Sequence, residues 1–251
     1  LKPIKPKLSI IIPVLNNLKG LIKTIDSIKD QTFKDFDVWI IDGGSAKETQ
    51  AYLSKLEAPF FYQSKKDKGI YDAMNAGISM SKGEWLFFLG AGDLVFSNYV
   101  LQIVFNNSSS INARLITGKI IYEGVLNPFV YSKNKMTKVP FWSPFIWIVN
   151  GLHHQGTFYK RELFLNTNYN LKYKIISDYW FNIYLFKNKE KCFLTDETIA
   201  KCNSDGVSKS GNWSLYQEEI DLKTALSLPI TRPFFYIIAA MKFLARKIIN
   251  D

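Results

Sequence analysis

Residues 67–93 read DKGIYDAMNAGISMSKGEWLFFLGAGD, and this stretch narrows the possible folds more than any other part of the chain. Gly69 opens a helix whose small, apolar side carries Ala73, Met74, Gly77, Ile78 and Met80, and Gly83 is expected to stop it. Trp85, Leu86, Phe87, Phe88 and Leu89 then run without a polar residue, as in a strand covered on both faces. Asp93 falls just past that strand's C-terminal end, behind the turn Gly90-Ala91-Gly92. Open α/β sheets keep their ligands in the crevice at that end of the strands. A carboxylate there, behind a turn that lets backbone approach closely, is suited to holding a cation bound to a diphosphate.

The same alternation runs through the N-terminal half. Residues 8–12 read as a strand closed by Pro13, and Asn16 or Asn17 caps a helix reaching about residue 30. A second strand over 36–41 ends in Asp42-Gly43-Gly44, and Ser45 with Glu48 forms a capping box for a helix over 46–56. A short strand over 60–63, a helix capped by Ser97 and running to about residue 107, and a strand over 114–122 complete the series. Strands alternating with helices at this spacing imply a Rossmann-like, doubly wound, mostly parallel sheet with right-handed crossovers. Residues 123–150 lose the pattern and hold Trp142 and Trp147, which reads as a long aromatic region over the sheet edge. Helices over 176–187 and 215–226 flank a strand or hairpin over 191–202.

From Pro229 onward Phe234, Ile237, Ile238, Met241, Leu244, Ala245, Ile248 and Ile249 share a helical face, with Lys242, Arg246 and Lys247 off it. That pattern suits a basic amphipathic helix lying in a membrane interface, or a terminal helix packed on the domain. The net charge of +10 favours anionic partners. The cations are scattered outside the C-terminus and no nucleic-acid-binding motif occurs, which argues against a nucleic-acid partner. Cys192 and Cys202 lack metal-ligand spacing and read as reduced core thiols. The apolar run after the basic start is too short, and too early broken by Pro13, for a secretory signal.

The pieces LSIIIPVLNN, VWIIDGGS, DKGIYDAMNAG, GEWLFFLGAGD, HHQGTFYKRELF, SDYW and GVS, over about residues 7–210, resemble glycosyltransferase family 2. These are inverting nucleotide-sugar enzymes of the GT-A fold, and the likeness within the family is to bacterial transferases that build capsule, colanic acid or O-antigen sugars. The resemblance implies a glycosyltransferase domain over 1–228, with a nucleotide-sugar half at 7–122 and an acceptor-side half at 123–228, and a membrane-associating helix over 229–251. It implies that Pro13 and Val14 line the nucleobase pocket, that Asp42, beside Gly44, binds base or ribose, and that Asp67 and Gly69 border the nucleotide. Asp72 and Asn75 join the donor site from the following helix. Ala91, Gly92 and Asp93 meet the diphosphate, with Asp93 holding Mg²⁺ or Mn²⁺ and His154 a second candidate ligand. Family members usually carry two acids after the fourth strand; here Asp93 stands alone.

Asp178, in ISDYW, matches the family's general base. His154, Gln155, Trp180 and Ser208 match its acceptor or diphosphate elements, with Arg161 and Lys209 as candidate phosphate partners and Trp142 as a sugar-stacking candidate. The donor implied is a UDP-sugar, and the acceptor a glycan or polyprenyl-diphosphate-linked saccharide. The implied location is cytoplasmic, peripheral on the inner face of the cell membrane. A nucleotidyltransferase would need a glycine-rich basic loop where VLNNLKG stands, and a non-catalytic binding protein would not need both Asp93 and Asp178.

Overall fold

A computed structural model of the chain describes residues 5–107, 110, 112–124, 136–203 and 212–250. One sheet organises it, with strand order β3-β2-β1-β4-β8-β6-β9-β5. Strands β1 (Leu8–Val14), β2 (Phe36–Asp42), β3 (Phe60–Ser64) and β4 (Trp85–Phe88) pair in parallel. This parallel half is buried on both sides. Ile10, Ile12, Val38, Ile40 and Phe87 meet Leu21, Ile25 and Ile28 of helix α1 (Leu18–Lys29). The alternate residues Ile11, Ile41, Leu86 and Phe88 meet Met74 and Ile78 of α3 (Ile70–Met80). Side chains one apart on a strand point to opposite faces, so unbroken apolar runs put helices on both sides.

The connections differ in detail from the expected ones. Asn17 caps α1 by accepting from Gly20 N at 3.0 Å. The capping box at Ser45 does not form: Ser45 Oγ accepts from Asn16 N at 2.7 Å, and α2 (Lys47–Leu53) starts after Ala46 without a side-chain cap. Ser97 likewise does not cap α4 (Val100–Asn106), which follows Tyr99. Helix α3 ends at Met80, where the backbone of Ser81 turns extended, and Arg161 satisfies groups at and just beyond its last turn. The guanidinium donates to Ile78 O, Gly83 O and Ser81 Oγ at 3.0, 2.7 and 2.8 Å. Gly83 serves packing, since a Cβ there would lie 2.4 Å from Ser9 N.

The second half of the sheet is mixed. β8 (Thr157–Lys160) inserts between β4 and β6 (Leu115–Glu123), antiparallel to both. β9 (Cys192–Asn203) runs parallel to β6, and the two-residue strands β5 (Leu94–Val95) and β7 (Thr137–Lys138) pair antiparallel with β9 and β6. Four or fewer residues carry too little periodicity to announce β5, β7 and β8 in the sequence. The aromatic region holds β7 and a 3₁₀ turn at Pro144–Trp147, with 125–135 outside the described residues. Cys192 and Cys202 lie on the one strand β9, and neither forms a disulfide.

Of helices α5 (Ser177–Lys187), α6 (Trp213–Leu226) and α7 (Arg232–Asn250), α6 packs against both of the others. Helix α7 has two apolar faces where the sequence suggested one. Phe235 and Ala239 are buried against Tyr216 and Ile220 of α6. Lys242, expected among the outward cations, turns inward to Glu219 and the carbonyl of Ile148. Phe234, Ile237, Met241, Leu244 and Ile248 remain more than half exposed on the other face. No helix among the described residues is long and apolar enough to cross a membrane.

Candidate active site

The rim at the C-terminal ends of β1, β2 and β4 carries the turn that the sequence singled out. Asn17 Nδ2 donates to Ala91 O at 2.8 Å, and Gly92 N donates to Thr24 Oγ1 at 2.9 Å, so α1 holds the turn. Gly92 has φ +109°, and a Cβ on Gly90 would stand 2.7 Å from Asp93 Oδ2, which restricts both positions to glycine. Asp93 is buried. Its Oδ2 accepts from Gly90 N at 2.9 Å and Gln155 Nε2 at 2.7 Å, and its Oδ1 from Asn203 N at 3.0 Å. Burial pushes its pKa up, the hydrogen bonds and nearby His154 pull it down, and the net shift is upward.

Asp178 lies in the first turn of α5, facing the same region. Tyr71, on α3, points its hydroxyl at Oδ1 from 2.8 Å, and His154 Nδ1 lies 3.1 Å from Oδ2. Burial again pushes the pKa up, but the His154 hydrogen bond and charge together with Tyr71 outweigh it, and the carboxyl titrates below its ordinary range. The Tyr71 hydroxyl stays protonated, held well above its usual value by burial and by the Asp178 charge.

Two consecutive residues link the acids. In the 3₁₀ turn His154–Gly156, which leads into β8, Gln155 binds Asp93 while His154 binds Asp178. Residues far apart in the chain are thereby brought to one place. His153 stacks on His154 with ring centroids 5.2 Å apart, which steadies the imidazole.

The other expected residues divide into rim and packing. Pro13 and Val14 are buried at the end of β1, beside exposed Leu15. Asp42 has no exposed surface: it accepts from Ser45 N at 3.0 Å and from Ser64 Oγ at 2.6 Å, and so ties the β2 turn to β3. Asp67 Oδ1 accepts from Gly69 N at 2.9 Å, and its Oδ2 lies over Gly43, beside exposed Gly44. Asp72 closes the start of α3 by accepting from Lys68 N at 3.0 Å. Asn75 exchanges two hydrogen bonds with the backbone of Tyr169, at 2.9 and 3.0 Å, and so holds the segment before α5 onto α3. Trp180 stacks on Tyr184 at 5.7 Å, Trp142 packs edge-on against Phe186 at 5.2 Å, and Arg161 is committed to the end of α3. Ser208 and Lys209 lie outside the described residues.

Sequence reasoning missed Tyr71, Asn17 and Thr24 as parts of the site. Tyr71 sits inside the most informative stretch, yet an aromatic residue on a helix reads first as core.

No group of three or more His, Cys, Asp or Glu residues able to hold a metal occurs among the described residues. Asp93 Oδ1 accepts one N–H and keeps a further lone pair. This donor set fits a hard cation that takes one carboxylate from the protein and its remaining ligands from phosphate and water.

The family model described as "Glycosyl transferase family 2" matches residues 9–184. A "PGL/p-HBAD biosynthesis glycosyltransferase" found in Mycobacterium bovis and in Mycobacterium tuberculosis is 34% identical over 188 residues, covering 73% of this chain and 71% of the relative. Among solved structures, TarS of S. aureus in complex with UDP-GlcNAc is similar with a TM-score of 0.67 at 17% identity, over 96% of this chain and 72% of that one. The mannosyltransferase PcManGT of Pyrobaculum calidifontis, in complex with GDP-Man and Mn²⁺, is similar with a TM-score of 0.63 at 13% identity, over 98% and 74%.

Proposed function

The chain belongs to glycosyl transferase family 2, and from that membership we propose that it transfers a sugar, with inversion, from a nucleoside diphosphate donor to an acceptor hydroxyl. The observation that carries this reading is the bridge of His154 and Gln155 between Asp178 and Asp93. It supports one acid for each end of the displacement.

Asp178 is the base. Its carboxylate takes hydrogen bonds from Tyr71, His154 and the backbone of Tyr179, which leaves a lone pair for the proton of the attacking hydroxyl. Its lowered pKa keeps it ionised at neutral pH, and Tyr71 and His154 fix its direction. Attack from that side, in line with departure of the diphosphate, inverts the anomeric carbon. Asp93 and the close backbone of the Gly90–Gly92 turn receive the diphosphate. A divalent cation, Mg²⁺ or Mn²⁺, held by Asp93 would supply Lewis-acid stabilisation of the charge on the leaving group. The nucleoside lies along Leu15, Gly43, Gly44 and Asp67, around the turn that Asp42 orders.

A UDP-sugar is the proposed donor, in keeping with the UDP and UDP-GlcNAc complexes of TarS. The proposed acceptor is a glycan or a polyprenyl-diphosphate-linked saccharide, met at the cytoplasmic face of a membrane. The outward apolar stripe of α7 supports that location, as does the lack of any acidic residue between 232 and 250 beside Arg232, Arg246 and Lys247.

The test is Asp178→Asn. Turnover should fall about 10²- to 10⁴-fold, the usual worth of a positioned base, with UDP affinity unchanged by calorimetry. Transfer at the wild-type rate would refute the assignment.

A further inference from the structure

The base is aimed by more than its own helix. No side chain caps the first turn of α5. The peptide N–H groups just ahead of it are instead taken by one carboxylate from another element. Glu218, on α6, accepts from Lys174 N at 2.9 Å through Oε1, and from Ile175 N at 2.9 Å and Ile176 N at 3.3 Å through Oε2. Successive backbone N–H groups turned to one side make a concavity for an anion, and here the protein fills it with its own side chain.

The opposite edge of the same peptides meets the site. The carbonyl of Ile175 accepts from the Tyr71 hydroxyl at 3.0 Å, and that hydroxyl lies 2.8 Å from Asp178 Oδ1. A phenol has one proton to give, so these two acceptors share it. Where Ile175 sits therefore decides how squarely Tyr71 faces the base.

We propose that Glu218 is a positioning residue for the transfer reaction: by gripping the peptides of Lys174, Ile175 and Ile176 it fixes the Ile175 carbonyl, and through Tyr71 the orientation of Asp178. Tyr71 is the second positioning residue in this chain of contacts. The proposal rests on the reading of Asp178 as base. Glu218 makes no hydrogen bond or ion pair with Asp93, Asp178 or His154; it reaches Tyr71 through the strap that it holds and, as the smallest influence on that hydroxyl, through its charge.

The experiment is a double-mutant cycle in the full chain, reading UDP release from a UDP-sugar that the wild-type protein turns over and UDP binding by calorimetry. Glu218→Ala and Tyr71→Phe are each expected to lower kcat about 10- to 100-fold, the scale of a misplaced catalytic group. Donor KM and UDP affinity should stay unchanged. The double variant should lie within about twofold of the worse single, because both changes break one chain of contacts. Glu218→Gln, which keeps one acceptor oxygen, should fall between wild type and Glu218→Ala, and Gln217→Ala, at an exposed neighbouring position, should match wild type. Multiplicative losses in the double variant, or losses that track weakened UDP binding and a lower melting temperature, overturn the proposal. Asp178→Asn measured in parallel separates the two readings. If it is inactive while Glu218→Ala turns over normally, only the positioning role falls; if it turns over normally, the base assignment falls with it.

Discussion

At the scale of single residues, Asp93 carries the clearest tension. Its pKa is raised, so the folded state binds a proton more readily than the unfolded chain does. Stability then falls as pH rises from the ordinary aspartate value of about 3.9 through the raised one. At neutral pH the ionised group is a liability to the fold that a bound cation and diphosphate would relieve. UDP binding in Mg²⁺ should therefore weaken, as pH is lowered, at a pH above the ordinary aspartate range. The acid limb that Asp178 gives to turnover, not to binding, should lie below that range, because its shift is in the other direction. Calorimetric titrations of UDP across this interval should show the limb in wild type and a flat profile in Asp93→Asn; a limb that survives the substitution would assign it to another group. Asp93 was legible in the sequence because it stands where an apolar run ends, whereas Asp178 was named only through the resemblance of ISDYW to the family. Glu218 was not legible, since a glutamate in a helical stretch reads as a solvated face and only the folded chain brings residues 174–176 to it.

At the scale of elements, the contact between α6 and α7 rests on a buried charge cluster. Glu219 pairs with Lys223 one turn on and with Lys242 of α7, and both lysines also donate to the carbonyl of Ile148. Lys223 is almost wholly buried, and burial brings its pKa down to about 8 despite the carboxylate beside it. Removing the carboxylate leaves that ammonium without its counter-charge, a change that costs about 3 kcal/mol in buried pairs. Glu219→Ala should lower unfolding stability by roughly that amount in urea melts; a loss near zero would mean that the cluster is solvated in solution. The parallel strands β1 and β4 were readable because their apolar runs are continuous up to a proline or glycine, and helix α1 because its apolar positions recur turn after turn. β8 was not, because TFYK spans two periods of a strand, and its place between β4 and β6 follows from pairing with residues distant in sequence. The Ser45 capping box failed for a related reason: Asn16, 29 positions earlier, claims the serine hydroxyl.

At the scale of the molecule, α7 turns one face to the domain and offers the other to its surroundings. Ile237, Met241 and Leu244 stand on the exposed side, away from the contacts of Phe235 and Ala239. The full chain should float with vesicles containing phosphatidylglycerol and less with neutral phosphatidylcholine, with binding reduced by salt. The triple variant Ile237→Ser, Met241→Ser, Leu244→Ser should stay with the soluble fraction while UDP affinity is retained. Equal flotation of variant and wild type would leave the stripe without this role, and concentration-dependent self-association in place of flotation would assign it to a second copy. A different consequence follows from the direction of β8. Because it runs against its neighbours, the residues that enter it, His153 to Gly156, arrive at the same rim where β1, β2 and β4 finish. On the reading proposed above, the loops leading up to that turn can vary, and with them the choice of what receives the sugar, while the half assigned to the activated donor keeps its shape.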